Sequence, residues 1–248
     1  MRLRVIGCSG SLPGPDSAAS CYLVEAGDTT LVLDLGNGAL GPLQRWARLD
    51  RIDGVLLSHL HADHCLDLCG YYVASRYAPR DDYPQVPVWG PAGTAARMAR
   101  AYGLPEDPGM TQEFDFRTYP SAPFMVGEVR VSVTSVVHPV PAYAIRLEHG
   151  GSSLTYSGDT AATPALVDLA WEADLFLCEA SFVDGEPNPP GLHLTGREAG
   201  EHAAAAGVSR LLLTHIPPWT DPAVPAAEAR AVFDGPTEVA VAGAVTDL

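Results

Sequence analysis

One short stretch, His59-Leu60-His61-Ala62-Asp63-His64, constrains this chain more than any other part of its sequence. It follows the apolar run Gly54–Leu57, which predicts a buried strand, so four metal-binding side chains lie where that strand ends. Imidazoles and a carboxylate, without a thiolate, suit zinc or a similar divalent ion such as Mn²⁺. The spacing allows His59 and His61 to bind one ion, and Asp63 and His64 to bind a second. The stretch therefore predicts a metal site at the edge of a sheet.

Three more side chains of the same chemistry follow predicted strands elsewhere in the chain. His138 comes directly after the alternating segment Val129–Val137, and His215 ends the run Leu211–Thr214. Asp159 follows another strand, after a glycine that permits a tight turn. Loops at strand ends are where a rigid scaffold places functional side chains. Recurrence after four separate strands predicts that these residues share one site.

The order of strand and helix patterns predicts a layered fold. Strand patterns cover Leu3–Ile6, Ser20–Ala26, Thr30–Asp34, Gly54–Ser58, Val86–Trp89, Val129–Val137, Tyr143–Leu147, Ser153–Ser157, Leu175–Glu179, Arg210–Thr214 and Glu238–Val241. Helix patterns cover Gly41–Leu49, His64–Tyr77, Thr94–Tyr102, Pro164–Ala170, Thr195–Ala206 and Val224–Val232. We expect an α/β (α+β) protein in which two packed sheets carry helices on their outer faces. Residues 1–248 are expected to form a single domain, with surface loops at Ala78–Pro87, Leu104–Met110 and Asp184–Gly191.

Composition places this fold among globular cytoplasmic proteins. The chain is 47% hydrophobic and 18% charged, and it contains no apolar run long enough to span a bilayer. Its N-terminus enters a strand pattern without a secretory core. Five cysteines are an odd number without zinc-type pairing, which favours buried free thiols in a reducing compartment.

The charge balance argues against a nucleic-acid partner. The net charge is −15, and all 15 basic residues are arginine. Such a chain has little positive surface with which to hold a long phosphate backbone. A small anion held by metal ions remains compatible with this balance.

In order along the chain, the histidine–aspartate motifs resemble those of the metallo-β-lactamase superfamily. The resemblance implies an αββα sandwich with a two-metal site at one edge. It also implies that His59, His61 and His138 bind one ion, that Asp63, His64 and His215 bind the other, and that Asp159 bridges both. An aspartate at the bridging position is typical of the hydrolase branches of the family. The family often forms homodimers, although the sequence identifies no interface.

The resemblance also suggests how water would be activated. Two divalent ions about 3.5–4 Å apart can share a hydroxide and lower its pKa toward about 7. Asp63 would ligate a metal and orient that hydroxide, which makes it a candidate catalytic residue. The ligand histidines need outer acceptors to fix their tautomers. Asp34, in Leu33–Gly36, is a candidate for one of these, and a structural turn aspartate is the alternative interpretation.

His193 and Glu179 resemble the acid pair of the phosphodiesterase branch. Cleavage of a phosphodiester needs an acid to protonate the departing alkoxide, and the imidazole would serve this purpose while the carboxylate keeps it protonated. The alternative is that Glu179 only ends a strand and His193 only flanks the next helix. That helix has Thr195 as its predicted N-cap and Glu198 in position for a capping box.

Within this branch, the sequence favours a small substrate. Only 20 residues separate His138 from Asp159, enough for a hairpin but not for the basic arm common in RNase Z-type tRNA-processing enzymes. The segments Gly7–Ser11 and Leu213–Trp219 resemble actinobacterial proteins described as cyclic-nucleotide phosphodiesterases. We therefore expect a small phosphodiester, such as 3′,5′-cyclic AMP. The alternatives are an RNase Z-type tRNA 3′-end endonuclease, or a lactonase or thioester hydrolase on the same metals.

Three residues near these motifs are candidates for substrate contacts. Ser9 and Ser11 lie in a small-residue loop that could offer backbone N–H groups to a phosphate, and a simple tight turn explains the loop equally well. Trp219 lies four residues after His215. It could stack on a base, but packing against the fold is the more frequent use of a tryptophan and is slightly favoured.

Overall fold

The computed structural model describes residues 1–78 and 83–248, so the predicted loop Ala78–Pro87 lies partly outside the described residues. The strands are β1 (Arg2–Ser9), β2 (Ala18–Ala19), β3 (Cys21–Ala26), β4 (Thr29–Leu33), β5 (Gly54–Leu56), β6 (Val86–Gly90), β7 (Phe114–Thr118), β8 (Phe124–Val126), β9 (Val129–Ser135), β10 (Tyr143–His149), β11 (Ser152–Tyr156), β12 (Leu175–Glu179), β13 (Leu211–Thr214), β14 (Thr237–Val239) and β15 (Val245–Asp247). The α-helices are α1 (Leu40–Leu43), α2 (Ala62–Cys65), α3 (Leu68–Tyr77), α4 (Thr94–Tyr102), α5 (Pro164–Ala170), α6 (Gly196–Ala206) and α7 (Ala223–Arg230). A 3₁₀ helix covers Leu49–Arg51.

The strands form two sheets that pack face to face. The first has the order β15-β1-β3-β4-β5-β6-β7 with β2 beside β1, and the second has the order β14-β13-β12-β11-β10-β9-β8. One apolar core, which includes Tyr22, Leu147 and Tyr156, joins their inner faces. A second core packs α1, α3 and α4 on the outer face of the first sheet, and a third packs α5, α6 and α7 on the second. The four-layer αββα arrangement predicted from the sequence is confirmed.

Strand direction brings the predicted site residues to one edge. β4 to β7 are parallel to one another, as are β11 to β14. β1 runs in the same direction as β4, because β3 between them is antiparallel to both. In the same way, β9 runs in the direction of β11, because β10 between them is antiparallel to both. The loops that follow these strands therefore meet where the two sheets adjoin, and this is where open α/β sheets place their ligands.

Several predicted elements match the structure residue for residue. These are α4, α5 and β12. Thr195 caps α6 as expected, because its side chain accepts from Glu198 N while the glutamate carboxylate accepts from Thr195 N. All five cysteines are free, three of them buried and two half-buried. No helix among residues 1–78 and 83–248 is long and apolar enough to cross a membrane.

Two predicted helices are wrong in extent. The pattern Gly41–Leu49 is helical only in α1, because the chain then closes tighter turns such as Trp46 N to Leu43 O. The pattern His64–Tyr77 begins earlier, with α2, and is interrupted before α3. The interruption has a tertiary cause, since Asp67 N donates to Leu35 O and the Asp67 carboxylate accepts from Leu40 N at 2.8 Å.

Four short strands were not predicted: β2, β7, β8 and β15. Three of these stand at the ends of their sheets, and β2 has only two residues. Edge strands are short and carry polar residues on exposed faces, so their hydrophobic period is weak. The sequence therefore located the central strands and, of the four strands at the sheet ends, only β14.

Candidate metal centre

Three imidazoles, which we call the nitrogen group, converge at the edge of the sheets: His59, His61 and His138. His61 Nδ1 lies 3.0 Å from His59 Nε2 and 3.2 Å from His138 Nε2. His59 is fully buried, whereas the other two are half-buried. Three donor atoms this close can all bind one cation.

A second set, the mixed group, lies beside the first and is buried throughout: Asp63, His64, Asp159 and His215. His215 Nε2 lies 3.1 Å from Asp63 Oδ2 and 3.2 Å from His64 Nε2. Their ligand atoms lie within 4.8 Å of one another. Two carboxylates and two imidazoles form a complete four-ligand set for a divalent ion.

Asp159 lies between the two groups. Its Oδ2 is 3.7 Å from His59 Nε2 and 3.5 Å from His215 Nε2, one histidine from each group. Its Oδ1 is 3.2 Å from His64 Nε2, yet this buried oxygen makes no hydrogen bond with any described residue. An unpartnered buried carboxylate oxygen is costly unless a cation occupies the space before it.

Hydrogen bonds behind the rings determine which nitrogen faces the centre. His138 Nδ1 donates to the Leu192 carbonyl at 3.0 Å. Ser181 Oγ donates to the His215 carbonyl, so it accepts from His215 Nδ1, 2.8 Å away. These contacts place the proton on Nδ1 and turn the lone pair of Nε2 inward. Outer partners of this kind orient metal-bound histidines.

Asp34 has the same effect on two further ligands. Its Oδ2 lies 2.7 Å from His64 Nδ1 and accepts from Ser58 Oγ and Tyr156 Oη, each at 2.7 Å. Because the Ser58 hydroxyl donates to Asp34, it can accept from His59 Nδ1, 3.1 Å away. One buried carboxylate thus orients a ligand of each group.

The residues present fit divalent cations. Nitrogens of neighbouring imidazoles lie about 3 Å apart. The outer partners of His59, His138 and His215 leave their Nε2 lone pairs directed inward, where a bound cation would be stabilised. Burial lowers the pKa of His59, His61 and His138, which keeps all three neutral as metal binding requires. The His/Asp cluster therefore supports divalent metal binding.

The mixed group carries the negative charge of the centre. Burial opposes ionisation of Asp63 and Asp159, but contacts with His215 and His64 outweigh it and hold the pKa of both carboxyls below the usual range. Burial likewise opposes the charge on His64, and Asp159 with Asp34 raises its pKa. The two buried carboxylates, Asp63 and Asp159, lie close together, so a cation between them would be strongly stabilised.

Local backbone conformation supports the placement of these ligands. Asp34 and His215 have positive φ angles of 55° and 56°, which non-glycine residues adopt rarely and usually at functional sites. The turn at His215 also needs Gly10, because a Cβ there would overlap the His215 carbonyl. That glycine is thus required by packing.

Glu179 and His193 form a hydrogen-bonded pair beside the mixed group. His193 Nδ1 lies 3.0 Å from Glu179 Oε1 and 3.9 Å from Asp159 Oδ2. The buried glutamate also accepts from Thr160 N at 2.7 Å, which fixes its position. Burial opposes protonation of the imidazole, but Glu179 outweighs it and raises the pKa of His193 to about 9.

The same pair belongs to a third possible metal set together with His215. We interpret it differently, because His193 Nδ1 and Glu179 Oε1 already bond to each other and His215 belongs to the mixed group. A protonated imidazole beside a metal centre is suited to donate a proton.

The predicted substrate contacts lie in different places. Ser11 N donates to His215 Nε2 at 3.3 Å, so this N–H points at the mixed group. Ser9 is 5% exposed and lines a separate cavity of about 250 Å³ with Thr214 and Pro218. Trp219 is 71% exposed, so the favoured interpretation, packing against the fold, is wrong for this side chain.

Sequence reasoning missed most of the outer partners. Ser58, Ser181 and the Leu192 carbonyl hold ligand histidines, and Tyr156 helps to hold Asp34. Ser58 directly precedes His59 in the sequence, so its role as an outer partner could have been predicted. Ser181, Leu192 and Tyr156 are distant in sequence from the residues they contact, and only the fold brings them to the site.

Comparisons with known proteins agree with this geometry. The family model of the beta-lactamase superfamily domain matches residues 23–216, which include both metal-binding groups and the Glu179–His193 pair. An uncharacterized protein of Mycobacterium leprae is 47% identical, and the alignment covers 100% of this chain and 89% of the relative. A ribonuclease Z of Mycolicibacterium gilvum is 30% identical over 90% of this chain and 86% of its own length.

A solved structure shows the same fold. The crystal structure of the metallo-beta-lactamase fold protein YhfI from Bacillus subtilis superposes with a TM-score of 0.89 at 27% identity. The superposition covers 99% of this chain and 98% of that one. By its matched family model and its metal centre, the chain belongs to the beta-lactamase superfamily and is a metallo-hydrolase with the metallo-β-lactamase fold.

Proposed function

We propose that this metallo-hydrolase is a phosphodiesterase that cleaves a small cyclic nucleotide such as 3′,5′-cyclic AMP. The observation that carries the proposal is the Glu179–His193 pair, 3.0 Å apart at the edge of the metal centre. Departure of an alkoxide from phosphorus needs a proton donor. Hydrolysis of a lactone or thioester on the same metals would not need this pair.

The roles of the side chains follow from their positions. Two bound divalent ions, which we propose to be zinc with manganese as a substitute, would supply a hydroxide at neutral pH and stabilise charge on phosphate oxygens. Asp63 would ligate metal and orient the attacking oxygen as hydrogen-bond acceptor. Ser11 N would be free to donate to a phosphate oxygen once His215 Nε2 binds metal.

His193 would donate the proton to the leaving oxygen. Its Nδ1 is engaged by Glu179, so Nε2 is the atom available for that transfer. The proton on the imidazole is favoured at neutral pH because Glu179 raises the pKa of His193 to about 9. Glu179 itself is held by Thr160 N and faces His193 rather than solvent, so it acts as a positioning residue.

The connection between His138 and Asp159 supports a small substrate. It is a short loop followed by the antiparallel β10–β11 hairpin, which turns at Gly150 and Gly151. This hairpin carries no extended arm that could hold a tRNA. The net charge of −15 further weakens binding of a polyanion, since such binding depends on clustered cationic side chains.

Further support comes from the loops on either side of His215. From the sequence, we propose that the segments Gly7–Ser11 and Leu213–Trp219 resemble those of actinobacterial cyclic-nucleotide phosphodiesterases. In the structure the two segments adjoin each other through the Ser9–Ile216 bridge. Trp219 is exposed in the second segment, where it could stack on a base.

One comparison favours a second candidate, tRNA 3′-end cleavage. A ribonuclease Z is 30% identical, in an alignment that covers 90% of this chain. The chemistry would be the same, because an RNA strand is also a phosphodiester. Only substrate binding separates the two candidates.

The deciding experiment compares cyclic AMP, cyclic GMP and a precursor tRNA side by side with Zn²⁺ or Mn²⁺. We expect hydrolysis of a cyclic nucleotide and no trailer cleavage. His193→Ala should reduce turnover about 100-fold or more while both metals stay bound, as measured by elemental analysis. Clean trailer cleavage with inert cyclic nucleotides would overturn the choice of substrate. Unchanged turnover in the variant would overturn the role of His193.

A further inference from the structure

A cleft of about 370 Å³ opens directly beside the nitrogen group. Its lining includes Leu60, His61, Pro91, Arg97, Val140 and Pro141. His61 belongs to both sites, because its Nδ1 faces His59 and His138 while its ring forms part of the cleft wall. The cleft and the nitrogen group therefore share a residue, so a group attached to a substrate at the metal centre has this cleft next to it.

Among the described residues that line the cleft, Arg97 is the only arginine or lysine. It lies on α4 and is half-buried, and its guanidinium makes no ion pair or hydrogen bond with residues 1–78 and 83–248. Arg100, on the same helix, is paired with Glu106. In a chain with 30 acidic and 15 basic residues, a half-buried guanidinium without a partner is available to a ligand.

The remaining walls decide what kind of group fits. Leu60, Pro91, Val140 and Pro141 are aliphatic, so the cleft favours a flat apolar surface. A second phosphate would need several donors, and the lining supplies one cation. A planar guanidinium, by contrast, stacks on aromatic rings and donates to ring nitrogens and oxygens.

We propose that this cleft binds the nucleobase of the substrate and that Arg97 is the residue that recognises it. The inference rests on the proposed function for its substrate class, a nucleotide. It adds a specificity-determining residue that neither ligates metal nor belongs to the Glu179–His193 pair. Arg97 would thus control affinity rather than the chemical step.

The test measures binding of adenosine monophosphate (AMP), and of ribose 5-phosphate as the base-free probe, to the metal-loaded protein by calorimetry. Arg97→Gln should weaken AMP binding about fivefold or more and leave ribose 5-phosphate unchanged. Arg100→Gln on the same helix is the matched control and should change neither. Ala92→Trp at the cleft rim should weaken AMP binding by filling the space, which tests the cleft without removing Arg97.

The proposal would be overturned by unchanged AMP affinity in both cleft variants, or by an equal loss for AMP and ribose 5-phosphate in Arg97→Gln. The second would indicate an anion site instead of a base site. Wild-type protein that binds no AMP would overturn it as well. Cyclic AMP hydrolysis is assayed separately, so AMP binding that depends on Arg97 without hydrolysis would contradict the proposed function and leave this inference standing.

Discussion

The nitrogen group and the mixed group lie side by side but differ in charge and burial. The nitrogen group offers three neutral imidazoles, and two of them are half-buried. The mixed group offers two ionised carboxylates with two imidazoles, all buried. A divalent ion would be neutralised in the mixed group and would keep most of its charge in the nitrogen group.

From this difference we infer that the nitrogen group and the mixed group have different roles. Asp63, His64, Asp159 and His215 would hold a neutralised, buried ion tightly, and that ion would serve mainly to fix the geometry. An ion in the nitrogen group, whose only carboxylate would be the shared Asp159, would be a stronger Lewis acid on the more open side, next to the Arg97 cleft. Asp159 links the two, since its oxygens approach histidines of both groups.

The largest effect is expected from Asp159→Asn, which would damage both groups together. The amide removes a negative charge and a ligand oxygen shared between them. Turnover should fall by more than about 1,000-fold, beyond the loss expected for a single hydrogen-bond donor. Elemental analysis should show loss of metal from both groups. Retention of two ions with near-normal turnover would contradict a bridging role.

Asp34→Asn should weaken metal affinity about 10- to 100-fold, because it disturbs the acceptor behind His64 and, through Ser58, the one behind His59. Competition with a chromogenic chelator measures the affinity. Ser181→Ala is the matched control, because it loosens His215 alone and should affect only the mixed group. Equal, small effects of both variants would indicate that Asp34 is only a structural turn residue.

Stepwise metal removal should show whether the nitrogen group and the mixed group differ in metal affinity. On titration with a chelator, the ion of the nitrogen group should leave first, at least about tenfold faster, since that group lacks its own carboxylate and is partly exposed. His61→Ala should abolish the fast phase and keep the slow one. Release of both ions in one phase would show that the groups do not differ in affinity.

The smallest effect at neutral pH is expected from Glu179→Gln, which leaves both metal groups intact. Glu179 raises the pKa of His193 to about 9, so the protonated donor predominates below pH 9 and the rate should fall as pH rises through that value. In the variant, the pKa should drop toward the ordinary histidine value of about 6.5, and the falling limb should move to lower pH. Profiles of kcat/KM against pH measure this shift. If the falling limb of the kcat/KM profile stayed at the same pH in the variant, His193 would be excluded as the titrating group.

The sequence alone was sufficient for the fold class and for naming the candidate metal-binding residues that the fold brings together. Strands such as β5 and β13 are continuous apolar runs, which buried parallel strands require, and each is followed within three residues by a histidine. The motif series then fixes which side chains share an edge, because parallel strands end together. Peripheral strands such as β7 and β15 carry too few apolar residues for the same prediction.

Tertiary structure decided everything that depends on contacts between distant segments. The partners that fix the ligand tautomers lie far away in the chain, as with Leu192 behind His138 and Tyr156 behind Asp34. The sequence also could not predict that Trp219 is exposed or that Ser9 lines a separate cavity. The physical reason is that a metal ligand is recognised by its own chemistry, whereas an outer acceptor can be any oxygen that the fold brings within 3 Å. The Arg97 cleft is formed in the same way, by loops that meet only when both sheets are packed.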